Sequence, residues 1–135
     1  MRLKPVADKK GISLSVTGES AHIMGSEKII DEMVYNLCDN AVKYGRQNGR
    51  AVISITRQPD KVLLTVSDNG IGIPKSEQAR VFERFYRVDK SRSKAAGGTG
   101  LGLAIVKHGA MYHNAKITLE STLGEGTSIT LAFDA

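Results

Sequence analysis

The sequence has little cysteine, proline or aromatic content. One cysteine, Cys38, stands among 135 residues, which excludes an internal disulfide framework and fits a reducing compartment. No apolar run approaches the roughly 18 residues of a membrane-spanning helix. The opening MRLKPVADKKG lacks the apolar stretch of a signal peptide. There is no Gly-Lys pair, so a phosphate loop of the GxxxxGK[ST] type is excluded. Aromatic residues make up 5%, and neither an interleaved aromatic ladder nor a recognition-helix pattern is present, which argues against a nucleic-acid-binding face. Acidic residues are outnumbered 14 to 19, leaving a net charge of +5. That balance fits a polyanionic partner, whether nucleic acid or a nucleoside triphosphate, or an accident of surface composition. There is no internal repeat and no low-complexity tract.

What is present is one ordinary soluble domain: 41% apolar and 24% charged over a length that supports a single core. Ile12, Leu14 and Val16 alternate with Ser and Thr, which predicts a strand over 11–19. Ile30, Met33, Val34, Leu37, Ala41 and Tyr44 recur at three- and four-residue spacing, predicting a helix over 26–45 that stops at Gly45. Residues 51–68 read as a hairpin about Gln-Pro-Asp, and 115–121 with 127–133 as a second about TLGEG. Pro74 and Ser76 can start a short helix, 79–88 has helical spacing, 89–98 has no periodicity, and 99–113 reads as a helix. Helices interleaved with antiparallel hairpins predict an α+β fold, one sheet with helices on one face.

Three motifs carry possible chemistry. Asn36, Asn40 and Lys43 share one helical face opposite the apolar stripe. Asn is a mediocre helix former, so this face is either a solvated surface or a row of ligands, amide oxygens for a hard cation and Lys43 for phosphate. In SDNGIGIP (67–74), Asp68 ends an apolar strand. Asn-Gly is a common turn signal, but no partner strand follows at once. An ionised Asp accepts hydrogen bonds only, which suits an amino group such as that of adenine, with Gly70 and Gly72 letting a flat ring approach. GGTGLGLAIVK (97–107) runs glycines into a helix start, which makes either a hinge or an anion site of free N–H groups and positive dipole. Upstream lies a basic stretch with Arg80, Arg84, Arg87, Lys90, Arg92 and Lys94.

The order of these motifs resembles the ATP-binding catalytic domain of sensor histidine kinases, within the family that includes gyrase B and Hsp90. NLCDNAVKYG resembles its N box, DNGIGIP its G1 box, FERFYR its F box, GTGLGLAIVK its G2 box and GEGTSITL its last glycine box. The resemblance covers nearly the whole chain. It implies a two-layer α/β sandwich with a mixed, mostly antiparallel sheet, binding ATP and Mg²⁺ under a lid at residues 87–100. It further implies that Asn36 ligates Mg²⁺ with Asn40 beside it, that Lys43 contacts phosphate and that Tyr44 packs near the nucleotide. Asp68 would accept the adenine amino hydrogen, with Gly70, Gly72 and Ile73 shaping the base pocket and Thr127 closing its end. Arg87 and Arg92 would reach the γ-phosphate. Gly98, Thr99, Gly100, Leu101 and Gly102 would hold the phosphates through backbone N–H groups.

ATP-hydrolysing members resemble this chain but carry Glu where Asn36 stands. An amide cannot serve as a general base, so slow hydrolysis and transfer to another acceptor are expected. The family's acceptor histidine lies on a separate helical hairpin and is followed by an acidic residue. His22, His108 and His113 are followed by Ile, Gly and Asn and are read as surface or packing residues. The chain is therefore expected to be the catalytic piece (11–135) of a larger kinase, with 1–10 as the tail of a linker. Its expected partners are the parent's histidine-bearing dimerisation domain and, indirectly, a response regulator, without nucleic acid. The piece itself is expected to be monomeric, and cytoplasmic beneath a membrane-anchored parent. A nucleotide-holding regulatory module and an anti-sigma-type serine kinase are the alternatives. Two departures from the family pattern, Gly109 inside the last helix and Asn114 in place of a glycine after it, concern the local turn only.

Overall fold

The computed structural model describes residues 11–18, 23, 25–45, 48–83 and 102–134, apart from the side chain of Leu14. The elements run β1 (Ser13–Gly18), α1 (Glu27–Lys43), β2 (Arg50–Arg57), β3 (Lys61–Asp68), a 3₁₀ turn (Lys75–Glu77), α2 (Gly102–Tyr112), β4 (Lys116–Thr122) and β5 (Gly126–Asp134). The strands form one sheet in the order β1-β2-β3-β5-β4. β1 and β2 are parallel, and the helix between them provides the crossover that such pairing needs. The β2–β3, β3–β5 and β4–β5 pairs are antiparallel.

Helix α1 is capped by Ser26, whose side chain accepts the Ile29 N–H at 3.3 Å, satisfying one of the orphan donors of the first turn. Its buried residues are Met33, Leu37, Cys38, Ala41 and Val42, one stripe at helical spacing. Inward residues of every paired strand from β2 to β5 share one parity: Ala51 and Ile53, Val66, Ile129, Leu131 and Phe133, with Ile117 and Leu119 packed alongside. Val106 and Ala110 of α2 complete the same core. Both helices therefore cover a single face of the sheet. The other face is polar, with Thr65 and Thr130 hydroxyls 3.0 Å apart and those of Ser67 and Ser128 2.7 Å apart.

The two departures have structural reasons. A methyl group on Gly109 would collide with Met33 Sδ and Cγ, so the glycine lets α2 lie close against α1 and its propensity cost of about 1 kcal/mol is offset by that packing. Asn114 takes the left-handed conformation, φ 54°, and ends α2 as a glycine would. His113 is a packing residue. Its Nδ1 donates to the Gly109 carbonyl at 2.8 Å and its Nε2 accepts the Ser26 N–H at 3.0 Å, so the neutral ring clasps the end of α2 to the start of α1. Its ring meets Phe133 edge-on. His108 is exposed and His22 lies outside the described residues.

One element differs from expectation. Helical spacing over 79–88 predicts a helix, but residues 78–83 form successive tight turns, with Arg80 N–H bonded to Glu77 O and Glu83 N–H to Arg80 O, both at 3.0 Å. Val81 is buried there without helical hydrogen bonding. Among the described residues no helix is long and apolar enough to cross a membrane.

Candidate functional site

The face of α1 that leaves the core carries Asn36, Asn40 and Lys43, all partly buried. The Asn36 amide nitrogen donates to the Glu32 carbonyl at 2.7 Å, which fixes the amide and leaves its oxygen to face outward. That oxygen lies where a side chain on Gly102, the first residue of α2, would meet it at 3.3 Å. The N-terminus of α2, with its free N–H groups and positive dipole end, is thus set against the Asn36 oxygen. Asn40 stands one turn further along the same face. Lys43 forms an ion pair with Asp39 at 2.9 Å; Asp39 is a neighbour the sequence reading did not single out. Tyr44 caps the helix, and its carbonyl accepts the Ile71 N–H at 3.2 Å. From Asn36 to Tyr44 the helix advances about 12 Å, joining the start of α2 to the loop after β3.

That loop begins at Asp68, the last residue of β3. Its Oδ1 accepts the Gly70 N–H at 2.9 Å, and the Thr127 N–H also donates to the carboxylate. Burial pushes the Asp68 carboxyl above the usual carboxylate range, and these two N–H groups pull it part of the way back. Asn69, read as a turn residue, binds the start of β2: its Oδ1 accepts the Arg50 N–H at 2.8 Å. Gly72 has φ +74°, and any side chain there would run into the Thr122 carbonyl, so only glycine fits. Ile73 is buried. Thr127 is paired with Asp68 across β3 and β5, and it is the buried polar residue of the described core.

The structure therefore brings together Asn36, Asn40, Lys43 and Tyr44 on one helix, Gly102 at the start of the neighbouring helix α2, and Asp68, Gly70, Gly72, Ile73 and Thr127 at the sheet end. Arg87, Arg92, Gly98, Thr99, Gly100 and Leu101, like residues 1–10, lie outside the described residues. Sequence reasoning missed Ser121 and Gln78. Ser121 Oγ accepts the Ile73 N–H at 2.8 Å, while Gln78 Nε2 donates to the carbonyls of Ile73 and Ser121, both at 3.0 Å. The signal for Ser121 was its place on the inward parity of β4, after Ile117 and Leu119, where a hydroxyl needs a partner.

Among the described residues there is no group of three or more His, Cys, Asp or Glu able to hold a metal. A single amide oxygen, Asn36 Oδ1, beside a helix N-terminus fits a cation that takes its remaining ligands from phosphate and water, as Mg²⁺ does.

The family described as histidine kinase-, DNA gyrase B- and HSP90-like ATPase matches residues 25–135. The chain is 44% identical over 132 residues to the sensor-like histidine kinase SenX3 of Mycolicibacterium smegmatis, covering 97% of this chain and 34% of that protein. It thus spans about a third of the length of that curated relative. Among solved structures it resembles the mycobacterial sensor histidine kinase MprB, with a TM-score of 0.82 at 30% identity, over 98% of this chain and 90% of the other. It also resembles full-length ShkA in complex with AMPPNP, with a TM-score of 0.83 at 27% identity, over 99% of this chain and 28% of the other.

Proposed function

This chain belongs to the family of histidine kinase-, DNA gyrase B- and HSP90-like ATPases, and we propose that it is the nucleotide-holding catalytic part of a sensor histidine kinase. In that role it binds ATP and presents the γ-phosphoryl group to a histidine of a separate dimerisation domain in the same parent protein. The phosphorus leaves the β–γ bridging oxygen for a histidine nitrogen, and ADP is the leaving group. The observation that carries the reading is the placement of the Asn36 amide oxygen against the first residue of α2, on the same helix whose other end meets the Asp68 loop. ShkA, a relative in fold, was crystallised with a nucleotide analogue, which supports the same pocket here.

Each residue then has a role. Asp68, an acceptor, takes the adenine amino hydrogen, and Gly70, Gly72, Ile73 and Thr127 shape the base end. Tyr44 and Asn40 line the path between base and phosphates. The N–H groups at the start of α2, including that of Gly102, receive phosphate oxygens. Lys43, held by Asp39, adds positive charge, and Arg87 and Arg92 are assigned to the γ-phosphate. When bound, Mg²⁺ would supply neutralisation of phosphate charge, and Asn36 Oδ1 would be the protein oxygen that holds it. Phosphoryl transfer depends mainly on positioning and charge stabilisation, and Asn36 offers no base to activate water, which favours transfer over hydrolysis. The larger parent implied by the longer relatives supplies the acceptor, and residues 1–10 are assigned to the connection.

The test supplies a separately expressed histidine hairpin with Mg-ATP labelled at the γ-position. Label is expected on the histidine, and it is expected to be lost in Asn36→Ala with the circular dichroism spectrum unchanged. No ATP binding at millimolar concentration by calorimetry would overturn the reading.

A further inference from the structure

The hydroxyl of Ser121 touches three groups at once. It accepts the Ile73 N–H at 2.8 Å, lies 3.0 Å from the Gly126 carbonyl and 2.8 Å from Thr127 Oγ1. A serine hydroxyl has one hydrogen and two lone pairs. A carbonyl oxygen accepts only, so the Ser121 hydrogen goes to Gly126. One lone pair is used by Ile73. The contact with Thr127 must then use the other, which makes Thr127 the donor. Its only hydroxyl hydrogen is spent on Ser121, and Thr127 turns nothing but lone pairs to its remaining neighbours.

Thr127 stands beside Asp68 at the end of the β3–β5 ladder, on the helix-covered side of the sheet. We infer that Ser121 is a specificity-determining positioning residue: by taking the hydrogen of Thr127 it leaves the Thr127 hydroxyl beside Asp68 able only to accept hydrogen bonds, which selects a 6-aminopurine over a 6-oxopurine. The inference rests on the nucleotide reading above. Asp68 alone does not make this choice, because a 6-oxopurine can offer its N1–H to the same carboxylate. What such a base cannot do is place its O6 against a hydroxyl with no hydrogen to give. A site that leaves opposed acceptors unpaired rejects the wrong ligand by more than a missing apolar contact does. Gln78 holds the Ile73 and Ser121 carbonyls, so the arrangement is fixed from both sides.

The test is calorimetric titration with ATP and with inosine triphosphate, which differs at C6 and N1. The wild type is expected to prefer ATP. In Ser121→Ala, Thr127 regains its hydrogen, and the preference is expected to narrow about five- to tenfold, the scale of one hydrogen bond. If that variant does not fold, Thr127→Val decides: it removes the acceptor and is expected to narrow the ratio likewise, whereas Thr127→Ser preserves it. Variants that weaken both nucleotides in proportion would overturn the inference and leave the nucleotide reading standing. A wild type that binds neither nucleotide overturns both.

Discussion

Replacing Asp68 by Asn should separate the stability of the fold from the recognition of its ligand. The carboxyl is raised first by burial, with the N–H groups of Gly70 and Thr127 acting in the opposite direction. A carboxyl raised on folding contributes stability that is complete below its unfolded value, 3.8, and that is lost as pH rises through the higher folded value. At pH 7 the ionised Asp68 therefore costs the empty fold stability. The amide of Asp68→Asn keeps an oxygen for the Gly70 N–H and carries no charge to desolvate. The empty variant is expected to melt at the same temperature as the wild type or higher at pH 7, with the difference closing as pH falls toward 4. Nucleotide binding moves the other way. A hydrogen bond to a charged group is worth about 1.5–3 kcal/mol, so the affinity for ATP should fall roughly 10- to 150-fold. Calorimetric titration and thermal melts across pH measure both arms. A melting point lower by about 4 °C, roughly 1 kcal/mol for a domain of this size, would refute the argument about burial. An unchanged ATP affinity would refute the assignment of Asp68 to the base.

Three further outcomes follow from the core. Leu37 is 2% exposed, and Leu37→Ala should lower stability by about 2–5 kcal/mol, read as a lower urea midpoint with an unchanged slope. Gly109→Ala should destabilise by about 1–3 kcal/mol through overpacking against Met33, and Met33→Val should recover part of that loss; strict additivity of the two changes would contradict the contact. Burial, helped by the charge of Asp39, pushes the Cys38 thiol up to about 11, so at pH 8 only about one part in a thousand is thiolate. Labelling by a disulfide reagent should await opening of the fold and accelerate with urea, and fast stoichiometric labelling of the native protein would contradict this.

Local chemistry was legible in the sequence; remote pairing was not. The helix over 26–45 with Met33, Leu37 and Ala41 inward, the last helix and both hairpins follow from spacing and turn residues within a few positions of each other. The helix expected over 79–88 fails in its described part because periodicity alone does not decide. Gln78 is drawn across to Ser121, and Val81 is buried from a turn, so tertiary contacts override a weak preference. The candidate residues on α1 and after β3 stood out because their types are unusual for their places, two asparagines inside a helix and an aspartate ending an apolar strand. Ser121 was not, because its hydroxyl serves Ile73, 48 positions away. The role of His113 was equally hidden, since Ser26 lies 87 positions upstream.

The pairing of Asp68 with Thr127 has a consequence for folding order. Those residues are the last matched positions of β3 and β5, and the strand that brings Thr127 is Gly126–Asp134. A chain that has formed α1 and the β2–β3 hairpin holds Asn36 and Asp68 but has not yet brought Thr127 to Asp68, where the base end is proposed. The pocket comes into being with the longest-range strand pairing that reaches it, a slow event in a chain of this topology. A ligand that binds only the finished pocket stabilises the complete fold by mass action and gains nothing from its partly folded precursors. Nucleotide thus acts as a thermodynamic inspector of the final strand, and lesions that loosen β5 should surface as lost ligand-induced stabilisation before they surface as lost helix.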